Sequence, residues 1–393
     1  MTHLPRTLRR RWTAVPALAA TAVLALACGS NNSNSNNNKP TTQSPTQAAS
    51  AAATTASTSA ATTAATAASS PSAAAKSGSG KVTKIVFAPN WFAEPENSGE
   101  LMAKLLNYYP ADLDVTIGNG GPSVNVTQEL VSGQIQMGTC SADGLLIAKS
   151  QGIDLVGLMA AFQSNPQVLI AHKEQGIKSF ADMKGKDIAV SDFANFFDYL
   201  ANKYGWGQSQ RVKYTGTLQD FLANKNQITQ GYYTAEPFYI QAQGQQVDTF
   251  LIADSGMNPY ASVLCTTKDF LQKNPDAVRE FVQADQKGWL AMLDKKNDDT
   301  LFPEITKLNK DEQNDAMAYA ISKMPDLMFN ADSYANGFGH ETADRYQQLM
   351  QQFIDTKVLK GPVDYQSVFT NDYLDTSIKG NPPTSTASPT PAH

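Results

Sequence analysis

The sequence predicts an α/β protein of two lobes with a cleft between them, followed by a helical carboxyl-terminal part. Three observations predict it. Short β-rich runs alternate with helical stretches from about residue 82 onward. The same alternation restarts around Lys184-Gly185-Lys186. After Val263–Thr266 the pattern turns helical and stays so.

In the first unit, strands are expected at Val82–Phe87, Leu113–Ile117, Gln136–Cys140, Leu155–Phe162 and Val168–Ala171. Between them Leu101, Leu105 and Leu106 share one face of a helix over Ser98–Asn107, and Ala142–Lys149 reads as another. Gly120-Gly121-Pro122-Ser123 is expected to open a helix through Val131, with Pro122 in the first turn where its missing N–H costs nothing. In the second unit, strands are expected at Asp187–Val190, Arg211–Tyr214, Gly231–Thr234 and Thr249–Ala253. Helices are expected at Phe196–Lys203 and at Thr217–Leu222, the latter capped by Thr217 and Asp220. The helical remainder is expected as Lys268–Gln272, Pro275–Leu293, Lys310–Lys323 and Ala331–Asp355.

The ends are different in kind. Arg6, Arg9, Arg10 and Arg11 precede an uncharged run, Ala14–Ala27, which suits a secretory signal over residues 1–27 and is too short to span a bilayer. Leu24-Ala25-Leu26-Ala27 leads into Cys28, which resembles the lipobox of bacterial lipoproteins, although Leu is commoner where Ala25 stands. The resemblance implies that Cys28 carries lipid. Residues 28–80 hold two lysines and neither an acid nor an aromatic, a composition expected to form a disordered tether. A Pro/Ser/Thr-rich tail, 380–393, is expected to be loose too. Removing the first 27 residues takes four arginines and no acid, which leaves a charge of −9 against −5 for the whole chain. An acidic body without basic blocks argues against nucleic acid as a partner. Cys140 and Cys265 could pair, but both sit in apolar strand-like runs, and two buried thiols are the expectation.

Two α/β units joined by two crossovers, Val168–Ala171 and Ser262–Cys265, make a hinge. One lobe is then 81–171 plus 262–379 and the other 172–261. This is the architecture of a type 2 periplasmic-binding-protein fold, with ligand held at the carboxyl ends of the strands. Loops at those ends supply the candidates. Trp91 can stack on a flat ligand, with Phe92 more suited to closing the core. Gly121 sits in a Gly-Gly turn that offers free N–H groups. Ser141 and Asp143 follow the strand ending at Cys140, where each could instead cap the next helix. Phe162, Gln163 and Asn165 lie near the hinge, and the two amides offer both donors and acceptors. The second lobe adds Phe193, Phe196, Tyr232 and Glu236; Glu236 is the strongest polar candidate, an acid before proline in an aromatic-rich stretch. Tyr260 stands near the second crossover.

Several segments, in order, resemble the solute-binding proteins related to thiamine-pyrimidine synthase. They are Asn90-Trp91-Phe92, Leu113–Ile117 with Gly120-Gly121-Pro122, Ala142-Asp143, Phe162–Gln167, Lys184-Gly185-Lys186, Gln230-Gly231-Tyr232, Glu236-Pro237, Asn258-Pro259-Tyr260, Phe281-Val282 and Gly288-Trp289. The resemblance implies a monomeric receptor, outside the cytoplasm, that closes on a small molecule without a cofactor and docks to an ABC permease. Riboflavin or a thiamine-type pyrimidine is the ligand it suggests, with a sulfonate or nitrate receptor as the alternative. After Cys28 the only arginines are Arg211, Arg279 and Arg345, none at an expected cleft loop, which favours an uncharged ring over an anion. An enzyme is not expected. The body has only His172 and His340, no zinc-like Cys/His spacing and no nucleophile elbow or phosphate loop. A hydrolase built on Asp143 and Glu236 is the remaining catalytic possibility.

Overall fold

The computed structural model describes residues 82–380 apart from Pro122, Asp192 and Phe193. The expected leader, Cys28, the tether and the tail after Gly380 therefore lie outside the described residues, as does the candidate Phe193. The chain begins with β1 (Thr83–Ala88), α1 (Gly99–Leu105), β2 (Leu113–Ile117), α2 (Val126–Ser132), β3 (Met137–Cys140), α3 (Ala142–Ser150) and β4 (Leu155–Phe162). There follow β5 (Gln167–His172), β6 (Ile188–Val190), α4 (Asn195–Tyr204), β7 (Arg211–Lys213), α5 (Gln219–Ala223), β8 (Ile228–Tyr232), α6 (Glu236–Ala242) and β9 (Val247–Leu251). The remainder is β10 (Ala261–Thr267), α7 (Lys268–Lys273), α8 (Pro275–Met292), α9 (Asp298–Leu308), α10 (Asn314–Met328), α11 (Ala331–Asn336) and α12 (Ala343–Asp355).

Two five-stranded sheets result, ordered β2-β1-β3-β10-β4 and β7-β6-β8-β5-β9. In each, one strand runs against the rest: β10 in the first sheet and β5 in the second. These two strands carry the chain's crossings between lobes. The first crossing is the loop Gln163–Pro166, so β5 belongs to the second sheet, ahead of the expected boundary at residue 171. Every residue of β4 is buried, as suits a strand covered on both faces. Its free edge is bridged at Gly157 by Phe369 of the terminal segment. Alternation along β5 splits its side chains. Val168 and Ile170 pack with Phe221 of α5 and Ile240 of α6, while Leu169 and Ala171 face the core that includes α4. Helix α8 lies against α1 so closely that a Cβ on Gly288 would stand 2.2 Å from the Gly99 carbonyl oxygen.

Four expectations are corrected. The second helix starts at Val126, because the Asn125 side chain accepts from the Gln128 N–H at 3.0 Å and sets the cap. Thr217 does not cap α5; Asp220 instead accepts from the Thr215 hydroxyl at 3.1 Å. The long final helix is two helices, since the chain breaks at Gly337 and Gly339, both at positive φ. Cys140 and Cys265 form a disulfide. They lie diagonally on the neighbouring antiparallel strands β3 and β10, with Cα atoms 5.9 Å apart, within disulfide reach.

Candidate functional site

The segments just past the carboxyl ends of β1 and β3 come near the end of β8 from the other sheet, since Glu96 interacts with Thr234 and Asp143 acts on Tyr232. The loop after β1 projects Trp91 and Phe92, which leave 45% and 42% of their surface exposed and meet edge to face at 5.4 Å. Beneath them runs the loop after β2. A Cβ on Gly120 would lie 1.7 Å from the Trp91 carbonyl oxygen, and Gly121 at φ +151° faces the Phe92 ring. Gly121 thus supports the aromatic loop. Phe92, expected to close the core, is instead as open as Trp91.

On the opposite lobe Tyr232 ends β8 with 38% of its surface exposed. Glu236 begins α6, and its Oε2 accepts the Tyr232 N–H at 2.6 Å. Burial pushes the Glu236 carboxyl above its ordinary range, that hydrogen bond pulls it back, and Glu96 raises it further. Tyr232 is raised too, by burial and by the neighbouring Asp143, Glu96, Glu236 and Glu94. Asp143 of the first lobe thus lies within electrostatic reach of Tyr232 of the second. Ser141 caps α3, accepting the Gly144 N–H at 3.4 Å.

The residues expected near the hinge have other work. Phe162 is fully buried, edge to face with Trp289 at 5.9 Å. The Gln163 amide donates to the His340 carbonyl at 3.0 Å and accepts from Asn330 at 3.2 Å. Asn165 donates to the Pro259 carbonyl at 3.1 Å and accepts the Gln167 N–H at 2.9 Å, so it ties the two crossings together. The Tyr260 hydroxyl accepts the Thr342 N–H at 3.1 Å, and its ring lies 3.7 Å beneath the Arg345 guanidinium. Arg345 donates to the carbonyls of Gln163 and Asn258, each at 2.5 Å, one from either crossing. Phe196 is buried in the second lobe's core. Packing or internal hydrogen bonds thus occupy Phe162, Gln163, Asn165, Phe196 and Tyr260 within the chain.

Three acids of the cleft escaped the sequence reading. Glu94 and Glu96 flank Pro95, which starts a 3₁₀ turn after β1. Ser262, at φ 46° on β10, donates its hydroxyl to the Glu96 carbonyl at 3.2 Å and fixes that turn. Glu312, between α9 and α10, accepts from the Tyr239 hydroxyl of α6 at 3.3 Å, a contact between lobes. Burial and the nearby Glu96, Glu312 and Glu236 push Glu94 up to about 9, against a Trp91 side chain that donates to it. Burial and Glu96 push Glu312 up to about 7. Burial raises Glu96, opposed by the hydroxyl of Thr234 across the cleft. Glu94-Pro95 repeats the dipeptide Glu236-Pro237, and that signal could have found it.

A family model described as NMT1/THI5 like matches residues 94–298, which include Glu94, Glu96, Asp143, Tyr232 and Glu236 but not Glu312. The riboflavin-binding protein RibY of Chloroflexus aurantiacus is 25% identical over 251 residues, 61% of this chain and 70% of its own length. A 4-amino-5-hydroxymethyl-2-methylpyrimidine phosphate synthase of Schizosaccharomyces pombe is 26% identical over 227 residues, 53% of this chain and 66% of its own. The periplasmic aliphatic sulphonate binding protein SsuA of Escherichia coli superposes with a TM-score of 0.54 at 15% identity, over 79% of this chain and 98% of that one. At that identity the likeness shows a common fold, the two-lobed periplasmic-binding-protein fold.

Proposed function

We propose that this chain, which belongs to the NMT1/THI5-like family, is a lipid-anchored solute-binding protein outside the cytoplasm that delivers a small planar ring compound to an ABC permease. The observation that carries this reading is the pair of aromatic faces left open on opposing lobes, Trp91 and Tyr232, which with Phe92 and Tyr108 are the exposed rings among the described residues. A flat ligand entering between them would gain stacking on both sides as the lobes close about the two crossings. Two relatives bring a ring compound to mind by name, riboflavin in one and a pyrimidine in the other. Cys28 behind its apolar leader supports the anchor.

An anion receptor fits less well. Arg345 is committed to the hinge, and Arg279 donates to the Asp372 carbonyl and lies over Tyr373. Arg211 donates to the Ser191 carbonyl at 2.8 Å and sits over the Phe197 ring. A planar anion would look for such a guanidinium fork. The synthase relatives keep a catalytic reading in view. Against it, His172 stacks on Phe221 at 4.0 Å, His340 bonds Asp332 at 2.8 Å, and Cys140 and Cys265 are joined.

Thermal-shift titration of the full chain tests the receptor. A ligand that binds only the folded state raises the melting temperature, by about 2.7 kcal/mol of stability at a hundred times Kd. Riboflavin or a 4-amino-5-hydroxymethyl-pyrimidine is expected to raise it, and Trp91→Ala to weaken that effect about tenfold or more. A shift with taurine alone would move the protein to the anion receptors. Turnover of the bound ring, lost in Glu236→Gln, would make it an enzyme.

A further inference from the structure

The carboxylates of the cleft constrain its ligand further. Glu94 and Glu96 come from the first lobe, Glu236 from the second, and Glu312 from the α9–α10 connection beyond the stretch matched to the family. Glu96 lies within electrostatic reach of Glu94, Glu236 and Glu312. Among the described residues no lysine, arginine or histidine forms an ion pair with any of the four. Lys323 of α10 is near this side, but its ammonium lies over the rings of Tyr233 and Tyr319, at 5.9 and 5.4 Å.

A second feature is independent of charge. Glu96 is 4% exposed and Thr234 1%, yet neither Glu96 Oε1 nor the Thr234 hydroxyl completes a hydrogen bond within the chain. Buried polar atoms are usually satisfied, and one left open at a cleft wall is a place for a ligand donor. These two atoms face each other from opposite lobes. The acids do not converge as metal ligands: among the described residues no group of three or more His, Cys, Asp or Glu could hold one ion. An occupant must therefore spread its positive charge over several N–H donors.

We propose that the cleft takes an organic cation, a ring compound bearing a protonated amine or amidine, whose N–H donors lodge between Glu96 and Thr234 and reach Glu236, with the Glu94 and Glu312 carboxyls beside them. The inference rests on the receptor reading and specifies its ligand. It also gives the closure a cause. Without a ligand these crowded carboxyls keep protons that they would lose in water, and the cation takes the place of those protons when the lobes close. A neutral ring can stack on Trp91 and Tyr232 but leaves the acids unpaired.

The test is calorimetric titration of the full chain at pH 7.5 and low salt with two matched pyrimidines. One is 4-amino-5-aminomethyl-2-methylpyrimidine, a cation; the other is its neutral 5-hydroxymethyl twin. Spermidine and taurine are titrated beside them. The cation is expected to bind about tenfold tighter or more than its twin, and to lose affinity as salt is raised. Glu96→Gln and Glu236→Gln should each remove most of that preference while changing the neutral twin little. Asp269→Asn, on exposed α7, should leave it intact. If either cleft variant fails to fold, the preference of the unaltered chain between the twins decides. Equal affinity for the twins, or tighter binding of taurine, overturns the cation. Equal affinity still leaves the receptor of a ring compound standing. Spermidine bound without either ring supports the cation and overturns the ring. Binding of none of the four overturns the cation, and riboflavin then decides the receptor reading separately.

Discussion

The hinge and the cleft wall are built from the same kinds of residue, and they end in opposite conditions. At the hinge Gln163, Asn165, Tyr260 and Arg345 find their partners inside the chain, one crossing bonded to the other. At the wall Glu96 and Thr234 keep open acceptors although both are buried, and Glu94 and Glu236 crowd beside them. Residue type does not separate the two regions. What separates them is whether the fold itself supplies the partner. A hinge must hold its geometry through closure, and the chain supplies the bonds that join its crossings, although Arg345 Nη2 and Glu341 Oε1 stay without a partner there; a binding wall must leave something for the ligand to satisfy.

The strongest way to break the contrast is to loosen the frame that holds both regions. The Cys140–Cys265 bond joins β3, which feeds Ser141 and Asp143 to the cleft, to β10, which arrives from the hinge. It closes a loop of 125 residues. Replacing both cysteines by serine is expected to cost roughly 5 kcal/mol of stability on the chain-entropy account, read as a lower urea midpoint. An unchanged midpoint would mean that the strands' own pairing holds that frame.

Arg345→Met comes next. It keeps the apolar stem but removes the donors to Gln163 and Asn258 and leaves both carbonyls unpaired. A loss of about 2–3 kcal/mol is expected from charge-assisted hydrogen bonds of this kind. Discrimination among ligands should survive, because Arg345 holds the hinge and does not line the wall. Lost discrimination with intact stability would put Arg345 in the site instead.

How much of this was legible depends on separation along the chain. The α/β alternation, the strands β2 and β4 and the helix α8 follow from local periodicity, and the sequence reading places them almost as observed. Trp91, Asp143, Tyr232 and Glu236 stood out because each lies at or just past the carboxyl end of a strand, where this architecture is expected to gather ligand contacts. The hinge misled for a physical reason. Gln163 and Asn165 look like ligand amides until His340 and Pro259 arrive, 177 and 94 residues away. The disulfide was hidden likewise, since only the pairing of β10 with β3 brings the cysteines together. Glu312 had no local signal at all. Its place in the cleft is set by α9 and α10 packing beside the first lobe, which no pattern around residue 312 encodes.

The smallest effect asked of the contrast is its dependence on pH. Glu94 and Glu312 are raised to about 9 and about 7 in the folded chain, above the usual value for an exposed glutamate. A carboxyl raised by folding holds its proton more tightly in the native than in the unfolded state. Its contribution to stability is therefore complete at low pH and is lost as pH rises through the folded value. The ligand-free chain should accordingly melt lower at pH 8.5 than at pH 5.5. Glu94→Gln cannot ionise and should recover part of the difference, of order 1 kcal/mol because the cleft still admits water that screens the charge. At the hinge Glu341, raised by burial to about 7 and bonded to Tyr346 at 2.5 Å, contributes in the same direction. The two regions part when a cationic ligand is added. It should flatten the share of the pH dependence that comes from Glu94 and Glu312 and leave the share from Glu341 in place. Melting curves of the Glu94→Gln and Glu341→Gln chains, each with and without the aminomethyl-pyrimidine, separate the two shares. A ligand that flattened both equally would show that it does not act through the wall acids alone.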